Sequence, residues 1–377
     1  MKKNNLKGLT AAELGEYCSA LGEKAYRGRQ LFTWLYEKGA SSFDDMTTFS
    51  KPFREKLATG ASIDSLTLVE AQRSAEDATA KLLFELSDGR RIESVLIPPK
   101  TAFRGRDAGE EEEQKRLTLC VSTQVGCPLD CKFCATATMG FARNLTAGEI
   151  VDQVMQARAF AGKPITNLVY MGMGEPLLNY DNVMKSIEII TTGIKIAAKR
   201  FTVSTAGWSP EIRRMADEGR KVKLAVSIHS MDDIARTELM PINKRFPLAD
   251  LLDAVHYYYR KTKERVTFEY ILFDGWNDRD EDLRRLVKLS RSLPSKVNII
   301  PFHDIAFANP AMKTAALRPA SPARTEEFVR RLRDQHVTVF IRSSAGEDID
   351  AACGQLAIRV ERKKKGAAST SHLVRSS

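Results

Sequence analysis

The 377-residue sequence contains no apolar run of membrane-spanning length. Its first stretch, MKKNNLKGLTAAELGEY, is basic but lacks the continuous apolar core of a signal peptide. The expectation is a cytoplasmic protein with no membrane partner. No G-x-G-x-x-G fingerprint occurs, which argues against a Rossmann-type cofactor site. Cysteine is scarce, at six residues. Cytoplasmic thiols stay reduced, so these six read as ligands or reagents rather than permanent staples. Their placement agrees, because four of the six fall between Cys120 and Cys134.

What is present suits an enzyme. With 43% hydrophobic residues the chain can bury a full core, as one large domain with small appendages. The 58 Lys and Arg against 48 Asp and Glu leave a net charge of +10, modest support for a polyanionic partner such as RNA. Residues 1–62 read as a small helical accessory domain, with Leu31, Phe32, Trp34 and Leu35 at helical spacing and Lys24, Arg27 and Arg29 just before them. Residues 63–116 read as a β-hairpin, turning at Ser87-Asp88-Gly89, followed by a mobile acidic loop around Glu110 to Glu113. From residue 117 to 356, seven short β-branched runs alternate with helical patterns, which predicts an α/β domain with a parallel sheet. One helix has a capping box at Thr146 and Glu149, and a basic, disordered tail is expected over 357–377. The chemically suggestive residues fall at the carboxyl ends of the strands, the face that carries active sites in barrel-like folds.

The segment CPLDCKFC sets Cys127, Cys131 and Cys134 as C-x3-C-x2-C. One loop with that spacing can hold three corners of an iron–sulfur cubane and leave the fourth iron open for a substrate. The competing metal is zinc, with Cys120 as a fourth thiolate. Structural zinc favours two close cysteine pairs on separate turns, so three clustered thiolates and a distant strand residue fit it poorly. GMGEP, from Gly172 to Pro176, follows a strand with two glycines that let backbone approach a ligand, and Glu175 can accept from an ammonium group. VSTAG and AVSIHS offer further hydroxyls and an imidazole, each of which taken alone is more often a cap or turn. Cys353 lies in a polar loop of small residues, and a lone cysteine is ordinarily inert.

Taken together, CVSTQVGCPLDCKFCATATMGFARN, VYMGMGEPLLN, VSTAG, MPINK and GEDIDAACGQL resemble the RlmN/Cfr family of radical S-adenosylmethionine (SAM) enzymes, from about Lys24 to Leu356. The resemblance implies a partial (βα)6 radical SAM barrel, an N-terminal RNA-binding domain, a [4Fe–4S] cluster on Cys127, Cys131 and Cys134, and two SAM molecules per turnover. It further implies that Cys353 carries a methyl group, that Cys120 is a second catalytic cysteine, and that Glu93 is a proton acceptor. On the sequence alone Glu93 is an unremarkable strand carboxylate. The family's SAM contacts map onto Gly174, Glu175, Ser204, Ser227, Ile228 and His229. A last contact falls on His303, where the family usually has Asn. The implied reaction is methylation at C2 of adenine 2503 in 23S rRNA and of adenine 37 in some tRNAs, by a monomer that receives electrons from a flavodoxin or ferredoxin. The alternatives are C8 methylation of the same rRNA adenine, as in the Cfr branch, a radical SAM enzyme acting on a small molecule or protein, and a non-catalytic RNA-binding protein stabilised by a metal.

Overall fold

The computed structural model describes residues 3–63, 66–99, 116–303, 305, 317–342 and 344–356. Most of the expected acidic loop and the whole basic tail lie outside them. Near the amino end, β1 (Asn4–Asn5) pairs with β2 (Ala61–Ser62) around three helices, α1 (Ala11–Ala20), α2 (Tyr26–Phe32) and α3 (Lys51–Gly60). The apolar stripe expected there is real for Leu31, Phe32 and Leu35, which are buried, whereas Trp34 is only partly covered. A buried ion pair, Lys7 Nζ to Asp152 Oδ1 at 2.6 Å, joins this region to α4 (Ala147–Ala161) of the main domain.

The expected hairpin is β4 (Ala80–Glu85) and β5 (Arg91–Ile97), turning at Ser87-Asp88-Gly89. It is preceded by β3 (Thr67–Arg73), a mostly exposed edge strand that carries Glu70 and Arg73. These three strands continue the main sheet. β5 pairs antiparallel with β6 (Thr118–Cys120), after which every neighbour is parallel: β9 (Asn167–Tyr170), β10 (Phe201–Thr205), β11 (Lys223–Ser227), β12 (Val266–Leu272), β13 (Ser295–Pro301) and β14 (Val339–Ile341). A separate two-stranded hairpin, β7 (Gln124–Gly126) with β8 (Phe141–Asn144), lies outside the sheet.

All seven parallel strands fall on the β-branched runs of the sequence, and six of them form the expected partial barrel, with β14 added beyond β13. β12 is buried along its whole length, as expected of a strand covered on both faces. The crossover helices are α4, α5 (Tyr180–Ile189), α6 (Ser209–Asp217), α7 (Asp233–Leu239), α8 (Leu248–Thr262), α9 (Asp280–Ser292) and α10 (Pro322–Asp334). α4 starts at the capping box read from the sequence, with Thr146 accepting from Glu149 N and the Glu149 carboxylate accepting from Thr146 N. Among the described residues no helix is long and apolar enough to cross a membrane.

Candidate active site

The cysteine loop hangs from the β7–β8 hairpin. Gly126, at φ +77°, turns the chain where any Cβ would strike the Gly140 carbonyl, and Cys127 N then donates to that oxygen at 2.9 Å. From there the loop lies on an apolar bed at the strand ends. Leu129 and Cys131 pack with Ala206, Leu239, Met240, Ile271, Phe273 and Ile300, while Cys127, Phe133 and Cys134 lean on the same cluster. Lys132 N donates to Leu239 O at 2.9 Å and pins the loop to the end of α7.

Burial pushes the Cys127 thiol up to about 12 and raises Cys131 and Cys134 as well, and proximity to one another reinforces the shift of Cys127 and Cys131. Three adjacent buried thiolates therefore need a cationic centre to compensate them. Among the described residues no three cysteine, histidine or acidic side chains converge on a single-ion position. A cubane takes one thiolate at each of three corners, which is what this loop offers, whereas structural zinc favours two close cysteine pairs, so the donor set fits an iron–sulfur cluster better.

The other strand ends face this loop. Gly174, at φ +101°, comes so close to Gln124 that a Cβ would stand 2.5 Å from that side chain. Glu175 follows, fully enclosed, its Oε1 accepting from Leu177 N at 3.0 Å and its Oε2 from Ala206 N at 2.8 Å. Burial raises its carboxyl to about 7, against those two bonds and a third from the Thr205 side chain. With three donors bound, the carboxylate keeps one acceptor position for a further donor. Ser204 and Ser227 are half-buried at the ends of β10 and β11, and Ile228 is buried. His229, at φ +50°, accepts from Ile271 N on Nδ1 at 3.0 Å, so its proton sits on Nε2. Burial lowers it to about 3, and its ring meets Phe133 of the cysteine loop edge-on, at 4.6 Å between centroids.

Cys120 ends β6 beside Val95 and Val169, and Cys353 is exposed in the loop after β14. The fold brings them together across 233 residues: both line one cavity of about 80 Å³, with Cys134, Met171 and Arg342. Burial raises Cys120 to about 12, Cys353 pushes the same way, and Arg342 opposes them. Glu93 is buried on β5, on the same sheet face as Val95 of that cavity wall, 3.6 Å from Lys81 Nζ.

His303 does not stand free at the end of β13. Its Nε2 lies 2.7 Å from Ser344 Oγ and its Nδ1 lies 3.1 Å from Glu347 Oε1, both in the loop that carries Cys353. Lys24 and Arg29 are exposed at the start of α2, whereas Arg27 is half-buried, its guanidinium over Tyr26 and Phe49.

Sequence reasoning missed Lys81, Arg342 and Arg236. Lys81 had a visible signal, since it interrupts the apolar run AKLLF at a position facing the core. Arg342 and Arg236 had none, because every polar partner of their side chains except Asn243 comes from another strand or its loop.

Comparison with known proteins agrees with this geometry. Residues 121–287 match the model of the radical SAM superfamily, and residues 4–63 match the ribosomal RNA large subunit methyltransferase N-terminal domain. The chain is 42% identical to the dual-specificity RNA methyltransferase RlmN of Geobacter sulfurreducens, over 97% of this chain and 95% of that protein. It is also 42% identical to the RlmN of Anaeromyxobacter dehalogenans, over 94% and 91%. The crystal structure of a radical SAM methyltransferase from Sphaerobacter thermophilus superposes with a TM-score of 0.82 at 41% identity, covering 93% of this chain and 98% of that one. The chain thus belongs to the RlmN family of dual-specificity RNA methyltransferases, within the radical SAM superfamily.

Proposed function

We propose that this enzyme methylates C2 of an adenine in structured RNA, adenine 2503 of 23S rRNA and adenine 37 of some tRNAs, with two SAM molecules and a cysteine that carries the methyl group. The observation that carries the reading is the single cavity shared by Cys120, Cys353 and the cluster-loop cysteine Cys134. C2 of adenine lies between two ring nitrogens and is electron-poor, so it does not attack the electrophilic methyl of SAM. A carbon radical can add to it.

In this reading Cys127, Cys131 and Cys134 hold a [4Fe–4S] cluster, which when bound supplies the electron that cleaves SAM to a 5′-deoxyadenosyl radical. Gly174, Glu175, Ser204, Ser227, Ile228 and His229 line the SAM site, Glu175 offering its remaining acceptor position to the ammonium group. His303 reaches that site only by releasing Ser344 and Glu347. The Cys353 thiol would take the methyl group of the first SAM, which leaves as S-adenosylhomocysteine, give up one hydrogen atom from it to the 5′-deoxyadenosyl radical of the second, and add the resulting carbon to the adenine. Cys120, as a thiolate, would help remove the ring proton and form a disulfide with Cys353 as the bond from Cys353 sulfur to the carbon breaks; one electron returns to the electron-transfer partner, and the freed carbon takes the proton to become the methyl group of the RNA. Glu93 is a proton acceptor reached along the same sheet face. Residues 1–62 form an RNA-binding domain, residues 117–356 form the catalytic domain, and electrons come from a flavodoxin or ferredoxin.

Mass-spectrometric mapping of RNA methylated by the pure enzyme tests the reaction. A 2-methyladenine product is expected, and 8-methyladenine would overturn the regiochemistry. For the RNA-binding domain, neutralising Lys24, Arg27 and Arg29 together lowers the slope of log affinity against log salt by about 2 if each contacts one phosphate. An unchanged slope would move the RNA surface elsewhere.

A further inference from the structure

The proposed chemistry makes no use of a guanidinium buried beneath the cluster loop. Arg236 on α7 is fully enclosed. Its Nε donates to Ile228 O at 3.2 Å, its Nη2 to Ala206 O at 2.7 Å and Ser227 O at 3.2 Å, and its Nη1 to Asn243 Oδ1 at 2.7 Å. One side chain therefore staples the ends of β10 and β11 to the turn that follows α7. What it lacks is a direct ion pair. Among the described residues no carboxylate lies at ion-pair distance from it; the charge of nearby Asp233 only partly offsets its burial, and Asp233 Oδ1 accepts instead from Asn243 Nδ2 and Leu248 N. Carbonyl dipoles solvate a guanidinium without neutralising it, and a buried charge is ordinarily paired.

The missing partner lies above it. The end of α7 holds the cluster loop through Leu239 O and Lys132 N, and Cys131 packs in one apolar cluster with Ala206, Leu239 and Met240. Ala206, whose carbonyl accepts from Arg236 Nη2 at 2.7 Å, belongs to the bed on which Cys131 rests, so a single residue separates the guanidinium from that cysteine. Burial lowers the guanidinium only to about 10, so the cation persists at neutral pH. A ligand thiolate at Cys131 would bring a negative charge next to that guanidinium.

We propose that Arg236 is a positioning residue of the cluster site, a fixed cation under the Cys131 corner that favours the thiolate-bound cluster and raises its reduction potential. The sign follows from charge. Reduction adds one negative charge to the cluster, and a nearby fixed cation stabilises the more negative state. The inference rests on the reading that Cys127, Cys131 and Cys134 hold the cluster.

The test uses the full chain, reconstituted anaerobically with iron and sulfide, with the midpoint potential read from the paramagnetic signal of the reduced cluster. Arg236→Gln shifts the midpoint to a more negative value in the clusters that remain bound, whereas Arg236→Lys keeps the charge, though not all four hydrogen bonds, and stays closer to the wild type. Asn243→Asp leaves Arg236 in place, sets a carboxylate against Nη1, and moves the midpoint in the same direction as Arg236→Gln. That variant decides the matter if Arg236→Gln does not fold. A purely structural arginine would lower iron content without moving the potential, and would make the Lys and Gln variants alike. Either result overturns the proposal. A wild-type chain that takes up no iron and sulfide would instead remove the cluster reading beneath it.

Discussion

The loop from Cys127 to Cys134 and the loop from Ser344 to Leu356 close over the same strand ends, but they are held differently. The first hangs from its own hairpin and rests on an apolar bed, with one long-range backbone bond to α7. The second is tied by polar contacts to residues far away in the chain. Gly346 N donates to Asp77 Oδ2 and Ala75 N to Asp348 Oδ2, each at 3.0 Å, Lys81 Nζ reaches Asp350 O at 3.4 Å, and His303 spans Ser344 and Glu347. Ala135 N donates to Gly354 O at 2.6 Å, which seats the second loop on the end of the first. Apolar packing holds an inorganic group still. Polar tethers worth about 0.5–1.5 kcal/mol each can open one by one, which suits a loop that, in the proposed reaction, presents a carbon to RNA and returns.

The comparison breaks first at the cysteines. Replacing Cys127, Cys131 or Cys134 with Ala leaves two thiolates for three corners, and complete loss of iron, sulfide and methylation is expected. A colourless protein by absorption spectroscopy is the readout, and retention of four irons by all three variants would refute the ligand assignment. On the other loop the cluster should survive while the RNA chemistry fails in two distinct ways. Cys353→Ala forms no covalent link to RNA, whereas Cys120→Ala traps a protein–RNA adduct through Cys353. Denaturing electrophoresis with labelled RNA separates the two, and methylation by Cys353→Ala would end the methyl-carrier reading.

The tethers come next. Removing the carboxylates of Asp77 and Asp348 together should slow methylation about tenfold, within the ~10²-fold that a 1 Å misplacement can cost. Iron content should stay unchanged. A fall in iron equal to the fall in rate would show that the two loops are one mechanical unit.

The smallest effect concerns His229 beneath the cluster loop. The unfolded chain protonates this imidazole below its ordinary value of 6.5, but the folded chain holds it neutral down to about 3. The folded state therefore loses stability as pH falls through that window, by at most about 1.4 kcal/mol per pH unit. His229→Asn keeps an acceptor for Ile271 N and has nothing to titrate. Urea unfolding of the metal-free chains from neutral pH down to about pH 5 should show a shallower pH slope for the variant.

The two loops also differ in how far they were legible in the sequence. The cluster loop is local, so C-x3-C-x2-C announced it, just as the β-branched runs announced seven parallel strands and Thr146 with Glu149 announced α4. The carrier loop is defined by contacts with residues some 270 positions earlier, and a lone cysteine among small residues carries no such information. Only family resemblance singled out Cys353. The same limit hid Arg236, whose partners come from separate elements.

The seating of Gly354 on Ala135 also has a consequence for how the enzyme is made. Cys134 and Cys353 are 219 residues apart. At about 5–20 residues per second, the ribosome completes the cluster loop roughly 10–45 s before the carrier loop exists. The apolar bed under the cysteine loop runs to Ile300, so it too is complete before Gly354 is made. The strand ends are therefore built before the loop that covers them.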